Sequence, residues 1–162
     1  MAADLAKLKN LILQIGANPH VQNLGETKLW KLIYFIDATA LRETGQSITG
    51  SAFIRYEHGP VPSRGEKSLK QLSRDGEISI VQEQFPAYRI NRVIANAAPA
   101  AKVFSAAELE LIGRVCRAYG NMTATYLSEL SHREPAWHYA RHLDKLSSEL
   151  MLYGAAEDPE DL

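Results

Sequence analysis

LGETKLWKLIYFIDATALRET, residues Leu24 to Thr44, is the most apolar long segment of the chain and has the pattern of a buried helix. Leu29, Leu32, Ile33 and Ile36 recur at helical spacing, while Trp30, Tyr34, Phe35 and Leu41 occupy most of the remaining circumference. A helix that is apolar nearly all round is covered on several sides, so this segment is expected to be the central core helix. Asn23 with Glu26 three residues on has the form of a capping box, and Gly45 stops the pattern.

Working outward, Leu5, Leu8, Ile12 and Ile15 alternate with polar residues up to Gly16, which predicts a first amphipathic helix. After Gly45, Ile48 to Glu57 is rich in strand-forming residues and closes at Gly59-Pro60, so it reads as a short strand or extended segment. Pro62 suits the first turn of a further helix with Leu69 and Leu72 as its core stripe, ending at Asp75-Gly76. Glu77 to Gln82 and Tyr88 to Val93 alternate around Pro86 as a hairpin does.

Asn96 to Ala101 is a connector. Ser105 and Glu108 then form a second capping box ahead of Leu109, Ile112, Val115, Cys116 and Tyr119. Thr123 or Thr125 starts a fifth helix, and Pro135 fits the first turn of a sixth carrying Trp137 and Ala140. The expected fold class is therefore α+β and mostly α-helical, with about six helices around a central apolar helix and a small antiparallel β-sheet. Residues 1–154 are expected to form a single domain, followed by an acidic tail at 155–162 that contains Glu157, Asp158, Glu160 and Asp161.

Composition narrows the function classes. Of 162 residues, 46% are hydrophobic and 23% charged, the balance of a folded globular chain. A formal net charge of −1 supplies no overall positive field to draw in nucleic acid, so nucleic acid is not an expected partner. Arg133, Arg141 and Lys145 are the best local candidates for such a contact, although arginine and lysine stripes are more often simply solvated. Cys116 is the only cysteine, which excludes an internal disulfide and favours a cytoplasmic setting. The first ten residues lack the apolar run of a signal peptide, and no stretch reaches the ~20 apolar residues of a membrane helix.

Residues that carry chemistry elsewhere have plainer readings here. His138 and His142 stand four apart on an expected helix, the spacing of a metal pair, but Tyr139 occupies the place of a zinc protease's glutamate. The plainer reading is a solvated basic face with Arg141 and Lys145. Cys116 beside Ile112 and Val115 reads as inert packing. Asp37, inside the most apolar helix, must be paired, and the arginines or His58 are the expected partners. Ser131 and Glu134 have capping-box spacing, and with His132 between them they cannot form a catalytic relay. No phosphate-cradling glycine loop or nucleophile elbow is present. No catalytic residue, cofactor or metal is expected; the alternative of a small hydrolase or metalloenzyme rests on His132, His138 or His142.

Three separated motifs carry a family resemblance. They are Lys28-Leu29-Trp30-Lys31-Leu32-Ile33-Tyr34-Phe35-Ile36-Asp37; then Gly45, Thr49 and Gly50 followed by Gly59-Pro60-Val61; and Ser131-His132-Arg133-Glu134-Pro135-Ala136-Trp137. Their order and spacing resemble the Panacea domain of SocA-like, phage-associated antitoxins, from about residue 10 to about residue 145. The resemblance implies an antitoxin of a type II toxin–antitoxin system, which neutralises a cognate toxin protein by direct binding. It also implies, as an alternative, a proteolytic adaptor that delivers the toxin to an AAA+ protease; a homo-oligomer stays open. Where the family usually starts a regular helix with an apolar anchor after Gly59-Pro60-Val61, this chain has Ser63-Arg64-Gly65.

Physics assigns most of these motif residues to the fold. Gly45 fits a helix C-cap, Gly50 and Gly59 permit turns, and Trp137 has a large surface to bury. Toxin contact is expected at aromatic and apolar positions ringed by polar ones, and Tyr56, Val61, Trp137 and Tyr139 are the candidates.

Overall fold

A computed structural model describes residues 5–154 of the chain. The acidic tail expected at 155–162 lies outside the described residues. Six helices and two antiparallel hairpins follow in order: α1 (Leu5–Ala17), α2 (Glu26–Thr44), β1 (Phe53–Tyr56), β2 (Gly59–Pro62), α3 (Gly65–Arg74), β3 (Ile78–Gln84), β4 (Arg89–Ala95), α4 (Ala106–Tyr119), α5 (Ala124–His132) and α6 (Pro135–His138). A short 3-10 turn, Leu150–Leu152, closes the described chain.

Helix α2 is the post around which the rest is arranged, as its composition requires. Leu29, Leu32, Ile33, Tyr34, Ile36 and Ala38 are fully buried, and Trp30 and Phe35 nearly so. It touches α1, α4, α5, both hairpins and the closing 3-10 turn. Gly45 ends it in the left-handed conformation, φ 81°, with its N–H bonded to the Leu41 carbonyl. The expected start differs. Asn23 has φ 51°, whereas an N-cap residue needs an extended backbone, so Gly25 caps the helix without a side-chain bond. Asn23 instead accepts a hydrogen bond from Arg92.

The two hairpins are separate sheets. In the first, Phe53 pairs with Pro62 and Tyr56 with Gly59. Pro62 therefore ends β2 rather than opening α3: a proline without an N–H is as much at home on a strand edge as in a first helical turn. Strand β1 covers only the second half of the extended segment expected at Ile48 to Glu57. The chain returns along the free side of β1, where Leu143 donates to the Arg55 carbonyl and Leu146 to the Phe53 carbonyl, both at 2.8 Å.

In the second hairpin Ile78 pairs with Ala95 and Gln84 with Arg89. Its inner face packs on α1, α2 and α3, and the outer side of β4 is covered where Val93 donates to the Leu24 carbonyl at 2.8 Å.

Helix α3 begins at Gly65, whose backbone lies against the Trp30 ring, so closely that an added Cβ would come within 2.9 Å of it. Close approach to the indole replaces the apolar anchor that Ser63-Arg64-Gly65 does not supply. Leu69 and Leu72 form the core stripe as expected.

Helix α4 opens with the capping box read from Ser105 and Glu108, with both reciprocal bonds made at 3.1 and 2.9 Å. Its buried residues are Leu111, Ile112, Val115 and Cys116. Leu109, expected on this face, is 42% exposed; at 3.6 residues per turn it points about 20° past Cys116, on the rim of the buried arc that runs from Leu111 to Cys116. Thr123 caps α5 by accepting from the Tyr126 N–H. Ser105→Ala is expected to lower stability by about 1 kcal/mol. Urea unfolding checks this: the midpoint should fall with the slope unchanged.

Candidate protein-binding site

Helix α2 carries three charged side chains that are buried although surrounded by apolar ones, and each is consumed by backbone groups of a neighbouring loop. Lys28 donates to the carbonyls of Gln22 and Gly120, both at 2.6 Å. Lys31 donates to the Pro60 carbonyl at 2.7 Å and is 1% exposed. Asp37 accepts from the N–H groups of Ile48 and Thr49, both at 3.0 Å, and from the Thr49 hydroxyl. The partners expected for Asp37 among the arginines or His58 are thus replaced by the loop backbone, which brings two N–H donors and a hydroxyl without a second desolvated charge.

Burial sets the electrostatics of these groups. It lowers the Lys31 ammonium to about 7 and raises the Asp37 carboxyl to about 6, against the pull of its hydrogen bonds to Thr49 and Ile48. It also raises the Tyr34 phenol and lowers Lys28, where Arg92 adds repulsion. The Cys116 thiol is pushed up to about 11 by burial, as suits a packing residue rather than a nucleophile.

Gly59 sits where β2 crosses α2. Its φ is 121°, and a Cβ there would collide with the Ser131 hydroxyl and the Lys31 side chain. The motif residues Lys31, Gly59, Pro60 and Ser131 are therefore one packed contact between α2, β2 and α5.

The third motif builds the adjoining surface. Pro135 opens α6 in its first turn. The Ser131 and Glu134 pair does not form the expected capping box, because Ser131 lies inside α5 and donates to the Ser128 carbonyl. Glu134 instead pairs with Arg42 at 2.9 Å, and Arg42 also donates to the Met151 and Tyr153 carbonyls.

His132 stacks on Trp137 with ring centroids 4.0 Å apart, and the Arg55 guanidinium lies 3.8 Å from the Trp137 centroid. Two planar groups this close cannot share a face, so the indole is sandwiched between them. Its Nε1 donates to the Tyr56 carbonyl at 3.1 Å. Arg55 also donates to the carbonyls of Trp137, His138 and Ala140, which locks α6 to β1. Burial lowers His132, and its Nε2 is enclosed without a partner among the described residues.

Of the four residues expected to contact a partner, Tyr56 and Tyr139 present their rings to solvent, at 44% and 74% exposure. Val61 and Trp137 are half-buried against the core. The Trp137–Tyr56 bond holds the end of β1 against α6, so both tyrosines flank the same stack. A depression of about 250 Å3 beside it is lined by Tyr139, Arg141, Asp144, Lys145 and Leu150 among others. Arg133, at the end of α5, is not among its lining residues. His138 and His142 do not share a helix, since α6 ends at His138. No group of three metal-ligating side chains occurs among the described residues. Sequence reading missed Arg55, whose role depends on a carbonyl cluster that only the fold assembles.

Over residues 29–138 the chain matches the family described as antitoxin SocA-like, Panacea domain, and it belongs to that family. No curated protein and no solved structure matches it. No helix among the described residues is long and apolar enough to cross a membrane.

Gly59→Ala is expected to cost at least about 3 kcal/mol, whereas Gly76→Ala, at φ 72° with open space around it, should cost about 1. Thermal unfolding of the two variants tests the contrast. The Asp37 carboxyl has its folded value raised above 3.8, so the stability it contributes is full below about pH 4 and is lost as pH rises through about 6. Between pH 4 and 7, wild type should therefore lose about 2 kcal/mol relative to Asp37→Asn. Parallel stability curves for the two proteins would contradict this.

Proposed function

We propose that this chain is the antitoxin of a type II toxin–antitoxin pair, acting in the cytoplasm, and that it neutralises its toxin by direct protein–protein binding and not by catalysis. The toxin lies against the surface around the Arg55–Trp137 stack, with Tyr56 and Tyr139 as anchors and Val61 and Trp137 contributing their exposed edges. The observation that carries this reading is the presentation of two exposed tyrosines on a rigid support. Both lie beside the indole that packs against His132 and Arg55, and tyrosine, with large contact area and few rotatable bonds, is a side chain that concentrates binding energy at interfaces. The family membership supports a toxin as the partner class. The buried charges of α2, each occupied by a loop backbone, support a scaffold role for most of the motif.

Co-expression with the product of the adjacent gene tests the reading through growth rescue and co-purification. Tyr56→Ala and Tyr139→Ala should each weaken binding by about 2 kcal/mol, roughly 30-fold, with an unchanged far-UV spectrum. Rescue and binding that are indifferent to both substitutions would contradict the assigned surface. Toxin loss that requires an AAA+ protease would assign the chain a delivery role instead of simple sequestration.

A further inference from the structure

The two hairpins treat their edges differently. The first is closed on both sides: the return segment at Leu143 to Leu146 covers β1, while Pro60 and Pro62 remove donors from β2. In the second hairpin, Leu24 covers β4. Strand β3 is left open over seven residues, Ile78-Ser79-Ile80-Val81-Gln82-Glu83-Gln84, with no proline and one charge. That charge is already neutralised within the hairpin, since Arg92 grips Glu83 through two bonds of 2.7 and 2.8 Å.

The ladder identifies the peptide groups that face outward. Asn96 donates to the Glu77 carbonyl, and Phe85 donates to the Tyr88 carbonyl. Antiparallel pairs alternate between bonded and non-bonded, so Ser79, Val81 and Glu83 bond to β4. The peptide groups of Ile78, Ile80, Gln82 and Gln84 therefore point away from it, and none is bonded to another segment among the described residues. Ile80 shows the consequence. Its cross-strand partner Val93, beside the Leu24 segment, is 4% exposed, whereas Ile80, on the same face with no strand beside it, is 36% exposed. On the other face Val81 and Ile94 are 45% and 44% exposed.

We propose that the β3 edge is a homodimer interface, in which β3 of a second copy pairs with it antiparallel about a twofold axis at Val81. This register is self-complementary. Ile78 meets the other copy's Gln84, Ile80 meets its Gln82, Ser79 meets its Glu83, and Val81 meets itself. All outward peptide groups are then satisfied reciprocally, giving about eight main-chain hydrogen bonds. No like charges oppose one another, and each Ile80 gains the neighbour that Val93 already has. An exposed edge that lacks proline, bulge and inward charge is one that chains ordinarily protect or use. A seven-residue strand pair covers roughly half of the ~800 Å2 per partner of a standard interface, so the dimer is weak, with dissociation on the order of tens of micromolar.

Sedimentation of the purified chain alone tests the proposal. Wild type should shift from monomer to dimer between about 1 and 300 micromolar. Ile80→Pro removes an outward N–H without touching the β4 ladder, and Val81→Glu places two carboxylates across the axis; each should weaken dimerisation at least 10-fold while the far-UV spectrum is kept. In a Cys116→Ser background, Val81→Cys should cross-link to a covalent dimer on air oxidation, because non-bonded antiparallel pairs bring Cα atoms to about 4.5 Å, within disulfide reach. A monomer at every concentration, a dimer indifferent to both edge substitutions, or a Val81→Cys chain that stays uncross-linked while dimeric would each overturn it.

Discussion

Lys28, Lys31 and Asp37 are buried in the most apolar helix, and their need for polar partners fixes where the neighbouring loops lie. An uncompensated charge in such a place is costly, and each of these three is relieved by backbone groups from a different loop. The helix therefore specifies where its loops go: Gly120 at the end of α4, Pro60 in β2 and the turn at Ile48 and Thr49 are brought to it by polar bonds as well as by packing. A hydrophobic post alone would accept these loops in several registers. Charge-assisted hydrogen bonds to specific backbone groups favour one, at a cost that the surrounding apolar residues offset.

From this constraint follows a division of labour within the family motif. Lys31, Gly59, Pro60 and Ser131 meet in one contact whose geometry admits no side chain at residue 59. Arg42 and Glu134 tie α2 to the start of α6 and to the closing turn. These residues hold the hairpin β1–β2 and helix α6 at a fixed angle, and their chemistry is directed inward. What faces outward is the rim they support: Tyr56, the Arg55–Trp137–His132 stack and Tyr139. The proposed contact surface needs a rigid support and exposed anchors, and Arg55, Tyr56 and Tyr139, which stand next to the motif residues in sequence, complete it.

Much of this architecture was legible in the sequence because the signals were local. The all-round apolar character of Leu29 to Ile36 announced the central helix, Ser105 with Glu108 announced a helix start that is built as read, and Pro86 between two alternating runs announced the hairpin. The failures came where a local pattern is shared by two conformations. Asn23 with Glu26 has capping-box spacing, but a left-handed backbone at Asn23 forbids it. Pro62 fits a helix start and a strand edge equally well. Ser131 and Glu134 matched a cap, yet each bonds elsewhere. The partners of Asp37, Glu134 and Arg55 are separated from them by 11, 92 and 85 residues, beyond any periodic signal. Residue type alone points to Tyr56 and Tyr139, and the structure exposes both.

The motif core forms the scaffold, and the rim around Trp137 is the proposed contact surface. Hydrogen–deuterium exchange of the chain, free and in complex with the co-expressed product of the neighbouring gene, addresses it most directly. New protection is expected in residues 54–57 and 136–144, with α2 already protected in the free chain. Protection that leaves both segments unchanged and appears on other elements would contradict it.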